Sequence, residues 1–244
     1  MNTTVPALCL HGFTGGPASF ESLGLDSDPC VYLAGHGAIP DCSSPDFASE
    51  LKRILALLTT PRHLVGYSMG ARVALGLALE APALFRSVTL IGANPGLQSE
   101  EERAKRVKWE DRWCELLENE GIEEFERHWS RQPIFSDQLR MPVEAQREQR
   151  AQRLAHTATG LAHAMSKLGL GRMPNYWERL SSMKVPSLWV AGSEDEKFLS
   201  IAKRASSRCA SSRVLAVPLA GHNPLLEVSA SLRANVHAFH TSIQ

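Results

Sequence analysis

The chain has little cysteine, no excess charge and no long apolar run, and each shortage excludes something. Five cysteines (Cys9, Cys30, Cys42, Cys114 and Cys209) are scattered through 244 residues. Their odd number and the lack of a C-x-x-C spacing argue against a disulfide framework and against a zinc site. Cys9 and Cys30 sit in apolar runs and are expected to be buried as small hydrophobes. Lys and Arg total 26 and Asp and Glu total 26, so the formal net charge is zero. No global field then favours nucleic acid or an anionic membrane, and any taste for a charged ligand has to come from a local cluster. No apolar stretch approaches the 18 residues of a membrane span. The opening Met1-Asn2-Thr3-Thr4 has no basic region ahead of its short apolar run, so no secretory signal is expected. The expectation is a cytoplasmic protein that is not membrane-bound and most simply monomeric, with no internal repeat.

What is present is a two-texture pattern. Up to about Asn94, short apolar runs end in Gly-containing turns: Val5–Leu10, Cys30–Ala34, His63–Gly66 and Val88–Gly92. Each has the length of a buried strand. Phe47–Leu58 and Ala71–Leu79 read as helices between them, and strands alternating with helices imply a parallel sheet. From Ser99 to about Leu180 the chain is rich in Glu, Arg, Gln and Trp and offers no strand. It reads as helices over Glu100–Asn119, Ile122–Ser130 and Val143–Leu168 and a short piece ending near Leu180, broken by Pro133, Pro142 and Pro174. The strand pattern resumes at Val185–Ala191 and Val214–Leu219, with helices at Ser200–Arg208 and Ser229–Phe239. The expected organisation is a core of residues 1–98 and 181–244 with a helical cap, or lid, of residues 99–180.

Gly66-x-Ser68-x-Gly70 follows a strand and opens a helix, the context in which a serine is held on a sharp turn at the carboxyl end of a sheet. Glycine at both ends spares the Cβ atoms that would meet strand and helix. A serine hydroxyl needs a base to take its proton, and the base needs a carboxylate to orient it. Of nine histidines, His222 stands in a Gly-His turn after the last strand. His237 and His240 read as solvated on the terminal helix, and His128, His156 and His163 belong to the cap. Asp195 follows a strong strand, with Glu194 and Glu196 as competing acids. Backbone N–H groups of Met69 and of Phe13, in the loop His11–Gly16, are placed to form an oxyanion hole. Arg72, one turn after Ser68 in an otherwise apolar helix, is either half of a structural ion pair or a fixed cation beside the nucleophile. Arg103, Arg106 and Arg153 of the cap could join it. Converging arginines would select a substrate with several carboxylates.

The residues resemble those of a known family, the 2-succinyl-6-hydroxy-2,4-cyclohexadiene-1-carboxylate synthases of menaquinone biosynthesis, which have the α/β-hydrolase fold. The likeness spans nearly the whole chain: Leu10–Gly15, Gly35-His36-Gly37, Gly66–Arg72, Asn94–Leu97 with Glu102–Arg106, Trp129–Phe135, Gly192–Phe198 and Ala220–Asn223. The Trp-x-x-Gln-Pro-x-Phe stretch, the Asp-x-Lys-Phe stretch and the arginine after the serine are the specific parts. The resemblance implies a triad of Ser68, Asp195 and His222, oxyanion donors at Phe13 and Met69, and substrate contacts from Tyr67, Arg72, Arg106, Trp129, Phe135 and Arg153. It implies a lyase that takes a proton from a cyclohexene substrate and eliminates pyruvate, acting on a small polycarboxylate with no metal and no organic cofactor. Three departures stand out: Ala71 replaces the usual glycine after the motif, Leu33–Pro40 loses an aspartate and a proline of the usual loop, and Ser130 replaces an aromatic neighbour of the tryptophan. Two other functions fit the same triad: a carboxylesterase or thioesterase, and a non-catalytic binding protein that keeps the pocket.

Overall fold

A computed structural model describes residues 6–243, with only the backbone given for residues 28–30. The expected signal-free start and the first residue of the first expected strand lie outside the described residues. Six strands form one sheet: β1 (Ala7–Leu10), β2 (Ser27–Cys30), β3 (Arg62–Tyr67), β4 (Phe85–Ile91), β5 (Ser187–Gly192) and β6 (Ser212–Val217). The order is β2-β1-β3-β4-β5-β6, and every pairing is parallel. The helices are α1 (Phe47–Leu55), α2 (Met69–Glu80), α3 (Glu100–Trp129), α4 (Val143–Leu154), α5 (Ala158–Leu168), α6 (Glu196–Ser206), α7 (Pro224–Glu227) and α8 (Ser229–Thr241). From β1 the chain goes outward to β2 and then returns to the other side of β1 as β3. The strand order therefore reverses between β1 and β3, and the crevice beyond the carboxyl ends of those strands is where open α/β sheets bind ligands.

Both faces of the sheet are covered, which is why the inner strands β1, β3, β4 and β5 are almost wholly buried. On one face Phe47, Leu51 and Ile54 of α1, the buried side of α2 and Ala202 and Ala205 of α6 pack with Leu8, Leu10, Leu64, Val88 and Leu90. On the other, Phe20 and Leu23 of a 3₁₀ turn and Leu232, Val236 and Phe239 of α8 pack with Val65, Ile91, Leu188 and Val190. Every residue of α2 from Met69 to Ala78 is buried, as expected of a helix that is apolar all round.

Between β4 and β5 the chain runs through α3, a 3₁₀ segment (Pro133–Arg140), α4, α5 and a return leg. This helical insertion has its own core, with Cys114, Leu117, Phe125, Trp129, Leu161 and Met165 at its centre. The return leg is clipped to the loop after β4: Tyr176 N–H donates to the Pro95 carbonyl (2.7 Å) and Trp177 Nε1 to that of Gly96 (2.9 Å).

Several elements differ from the sequence expectation. The strand expected at Cys30–Ala34 lies at Ser27–Cys30. The buried run continues as loop because Leu33 N–H donates to His11 Nε2 (3.1 Å) and Ala34 N–H to Glu50 Oε1 (3.0 Å), so side chains occupy the groups a ladder would use. The two helices expected before Ser130, Glu100–Asn119 and Ile122–Ser130, are by contrast both present within the α3 span and meet at Gly121, whose non-helical φ of 83° glycine adopts without strain. The single helix expected at Val143–Leu168 is broken: Thr157 caps α5 by accepting from Gly160 N–H (3.1 Å), while His156 turns away to accept from Gly37 N–H (2.9 Å). Cys9 is buried as expected; the side chain of Cys30 is not among those described, and Cys42, Cys114 and Cys209 are free thiols. His237 and His240 are half-buried and bonded or stacked rather than free in solvent. His237 Nε2 bonds the Leu23 carbonyl (2.7 Å), and His240 stacks on His63 with ring centroids 4.1 Å apart. Among the described residues no helix is long and apolar enough to cross a membrane.

Candidate active site

Ser68 joins β3 to α2 at φ 50° and ψ −107°, a conformation that costs a non-glycine residue about 1–3 kcal/mol and persists only where its surroundings enforce it. Here they do. Ser68 N–H donates to the Ile91 carbonyl (2.8 Å), and the Ser68 carbonyl accepts from Arg72 N–H (3.2 Å). The flanking glycines are required by space: a Cβ on Gly70 would stand 1.9 Å from the Leu10 carbonyl oxygen, and one on Gly66 would stand 2.5 Å from that of Gly70. The turn can be this tight only because strand, serine and helix touch through bare backbone.

His222 Nε2 is 3.3 Å from Ser68 Oγ, and His222 Nδ1 donates to Asp195 Oδ2 at 2.7 Å. The other oxygen of Asp195 accepts from Phe198 N–H (3.2 Å) as the N-cap of α6, so the carboxylate is fixed at both ends. Of the three neighbouring acids it is Asp195 that meets the histidine; Glu194 accepts instead from Arg140 (2.9 Å). Among the described residues no acceptor takes the N–H of Phe13 or of Met69, and both residues line the cavity at Ser68. Phe13 is held edge-on against Trp129, Phe125 and His36.

That cavity has a volume of about 220 Å³. Tyr67, Trp109, Trp129, Phe135 and Phe198 give it an aromatic wall, and Arg72, Arg106 and Lys197 contribute three cations. Among the described residues no carboxylate lines it. Arg72 is 8% exposed and has no carboxylate within 4 Å among the described residues. One of its N–H groups goes to the Leu168 carbonyl (3.1 Å). Burial lowers its pKa to about 10, against the pull of Glu110, and it remains cationic at neutral pH. A buried guanidinium without an acid is costly until an anion pairs with it. Arg106 stands 4.1 Å over the ring of Trp109 and donates to Glu110 (2.8 Å). The indole Nε1 of Trp129 is buried without an acceptor. Burial also pushes the Tyr67 phenol up, which keeps it a neutral donor.

Two of the arginines named from the sequence fall elsewhere. Arg153 does not line the Ser68 cavity. It is buried behind Phe135, 5.2 Å from that ring's centroid, and paired with Glu126 (3.5 Å). It opens instead onto a small adjoining pocket of about 40 Å³ that shares Phe13, Tyr67 and Phe135 with the main one. Arg103 is structural, donating to the carbonyls of Gly171 (3.1 Å) and Met173 (2.9 Å). Sequence reasoning also missed contributors. Lys197, two residues after Asp195, lies at the cavity with Phe198, and Gln132 and Asn94 add polar groups. Their signal was position in the Asp-x-Lys-Phe, Trp-x-x-Gln and Asn94–Leu97 stretches. Among the described residues no cluster of three or more His, Cys, Asp or Glu side chains could hold a metal ion.

Known proteins give the same picture. The α/β hydrolase family profile matches residues 7–233. The 2-succinyl-6-hydroxy-2,4-cyclohexadiene-1-carboxylate synthase of Salmonella agona (strain SL483) is 30% identical, over 88% of this chain and 85% of its own. A Bacillus subtilis (strain 168) protein that bears the same synthase name provisionally is 31% identical over 99% of this chain and 92% of its own. The solved structure of MenH from S. aureus superposes with a TM-score of 0.91 at 32% identity, covering 100% of this chain and 96% of that one. A thermophilic esterase from Thermogutta terrifontis, 20% identical with a TM-score of 0.81, shares the fold. The chain therefore belongs to the α/β hydrolase family and, within it, to the 2-succinyl-6-hydroxy-2,4-cyclohexadiene-1-carboxylate synthases.

Proposed function

We propose that this protein is a carbon–oxygen lyase of menaquinone biosynthesis, converting 2-succinyl-5-enolpyruvyl-6-hydroxy-3-cyclohexene-1-carboxylate to 2-succinyl-6-hydroxy-2,4-cyclohexadiene-1-carboxylate and pyruvate. The observation that carries the reading is Arg72, a buried cation that among the described residues has no acid partner, in a cavity lined by Ser68, two more cations and no described carboxylate. An ester-cleaving site for neutral acyl groups has no use for it. A substrate with several carboxylates does.

The residues divide the work as follows. His222, oriented by Asp195, takes the proton of Ser68. Ser68 Oγ in turn takes a proton from the ring carbon beside the succinyl carbonyl, where the adjacent C=O makes the C–H acidic. The electron pair of that C–H bond becomes a ring double bond, the existing double bond shifts by one position, and the C–O bond to the enolpyruvyl group breaks. The departing enolate is protonated at carbon to pyruvate, with the proton returned from the imidazolium. Phe13 and Met69 N–H groups hold the charge that gathers on the succinyl oxygen, and Arg72, Arg106 and Lys197 hold carboxylates. The helical insertion serves as the lid, with Trp129 and Phe135 closing the cavity; residues 1–98 and 181–244 form the core. Arg153 is placed to receive a carboxylate through the adjoining pocket if Phe135 moves. The enzyme acts in the cytoplasm as a monomer on a small polycarboxylate.

The test is pyruvate release from the cyclohexene substrate, read by coupling to lactate dehydrogenase. Wild-type protein is expected to release one pyruvate per diene formed, and Ser68→Ala to lose at least roughly a thousandfold in kcat. Brisk cleavage of p-nitrophenyl esters without pyruvate release would sink the lyase in favour of an esterase.

A further inference from the structure

Glu227 ends the short helix α7, five residues after His222. Its Oε2 accepts from Gly221 N–H at 2.5 Å and its Oε1 from Asn223 N–H at 3.2 Å. One carboxylate thus grips the two peptide N–H groups that flank His222. Capping of α7 does not explain this arrangement: Asn223 is the N-cap, but Gly221 lies two residues before it, where helix formation leaves no donor to satisfy. The loop needs some such anchor. It follows β6 outside any ladder, and the ring it carries must reach Asp195 on one side and Ser68, already at 3.3 Å, on the other.

We propose that Glu227 is a positioning residue that fixes His222 between Asp195 and Ser68 by clamping the peptide groups on either side of it. The proposal rests on reading Ser68, His222 and Asp195 as the working triad, though not on the identity of the substrate. Only an ionised carboxylate offers an acceptor oxygen to each N–H. A glutamine has one acceptor, and its NH₂ would face the second N–H. The charge is kept at a cost. Glu227 is half-buried, and burial, with Asp137 nearby, pushes its carboxyl up, while the two N–H groups hold it down.

The experiment compares wild-type protein with Glu227→Gln, and uses two readouts that need no substrate. One is the rate at which a fluorophosphonate labels Ser68. The other is the downfield proton resonance of the His222 Nδ1–H···Asp195 hydrogen bond. Because a displacement of about 1 Å in a catalytic group can cost a hundredfold, Glu227→Gln should label roughly tenfold to a hundredfold more slowly. It should lose or broaden the downfield resonance and lower kcat with little change in KM. If Glu227→Gln cannot be recovered folded, Glu227→Asp, which keeps the charge and shortens the reach, should show the same losses. An unchanged resonance and labelling rate in the folded variant overturns the proposal. So does a loss of labelling that tracks a lowered Tm while the resonance persists. A wild-type protein that labels at Ser68 but releases no pyruvate defeats the lyase reading alone.

Discussion

At the scale of single residues the decisive one is Arg72. Serine, histidine and aspartate at this spacing are shared by hydrolases of many kinds, so the triad cannot select a reaction. In the proposed reading Arg72 does, because this guanidinium is 8% exposed, donates to the Leu168 carbonyl and has no acid within ion-pair reach among the described residues, which leaves it for a substrate carboxylate. Removing one partner of a buried charge pair costs about 2–5 kcal/mol. Arg72→Ala should therefore lose roughly a hundredfold or more in kcat/KM for pyruvate release, while fluorophosphonate labelling of Ser68 stays near wild type. Arg72→Lys should recover little, since an ammonium cannot present the planar fork that matches a carboxylate. Equal turnover in Arg72→Ala and wild type, measured in the coupled assay, would make this arginine structural. The meeting of Ser68, His222 and Asp195 and the place of Arg72 beside them were legible in the sequence because they follow from local context, a strand before and a helix after. Arg153 was not. Spacing placed it in the right helix, but its direction depends on Phe135 and on Glu126 of α3, which no local pattern encodes.

At the scale of elements, a fully buried acid ties the insertion together. Glu110 is fully buried on α3 and accepts from Arg106 (2.8 Å) and from Gly171 N–H (3.2 Å), with Arg172 at 3.5 Å. It ties α3 to the return leg and at the same time sets the angle of Arg106 into the cavity. Breaking a buried pair by removing one partner costs about 3–5 kcal/mol. In a chain of this size Glu110→Ala should lower Tm by about 10 °C, and it should raise KM, because Arg106 loses its support. A thermal melt and a KM determination on one preparation check both halves; a fall in Tm without a change in KM would separate Arg106 from substrate binding. Most elements were readable from apolar periodicity. The exceptions have a common cause: side chains far away in sequence overrode the local pattern. His11 and Glu50 take the N–H groups that would have continued β2, and His156 breaks the α4–α5 run by turning to Gly37.

At the scale of the whole molecule, those same histidines make the fold sensitive to acid. His11 Nε2 accepts from Leu33 N–H, His36 Nε2 from Thr14 N–H and His156 Nδ1 from Gly37 N–H. Each ring is therefore held neutral, for a protonated nitrogen would face another donor. Burial lowers the pKa of His11 to about 4 and that of His240 to about 3, and it lowers His36, His63 and His156 as well. Below pH 6.5 the unfolded chain binds protons that the native histidines refuse, so their stabilising contribution is complete above 6.5 and falls as pH drops toward the native values. At pH 5 His11 and His240 each forfeit about 2 kcal/mol, and Tm should drop by roughly 5 °C for each. The loop that carries Phe13 shares this fate, since His36 accepts from the N–H of its neighbour Thr14. His240→Phe isolates one contribution, because phenylalanine can keep the stack on His63 and cannot take up a proton. Its melting temperature should fall less between pH 7 and pH 5 than that of the wild-type protein. Parallel melting curves for the two proteins across that interval would show instead that His240 is not part of the acid response.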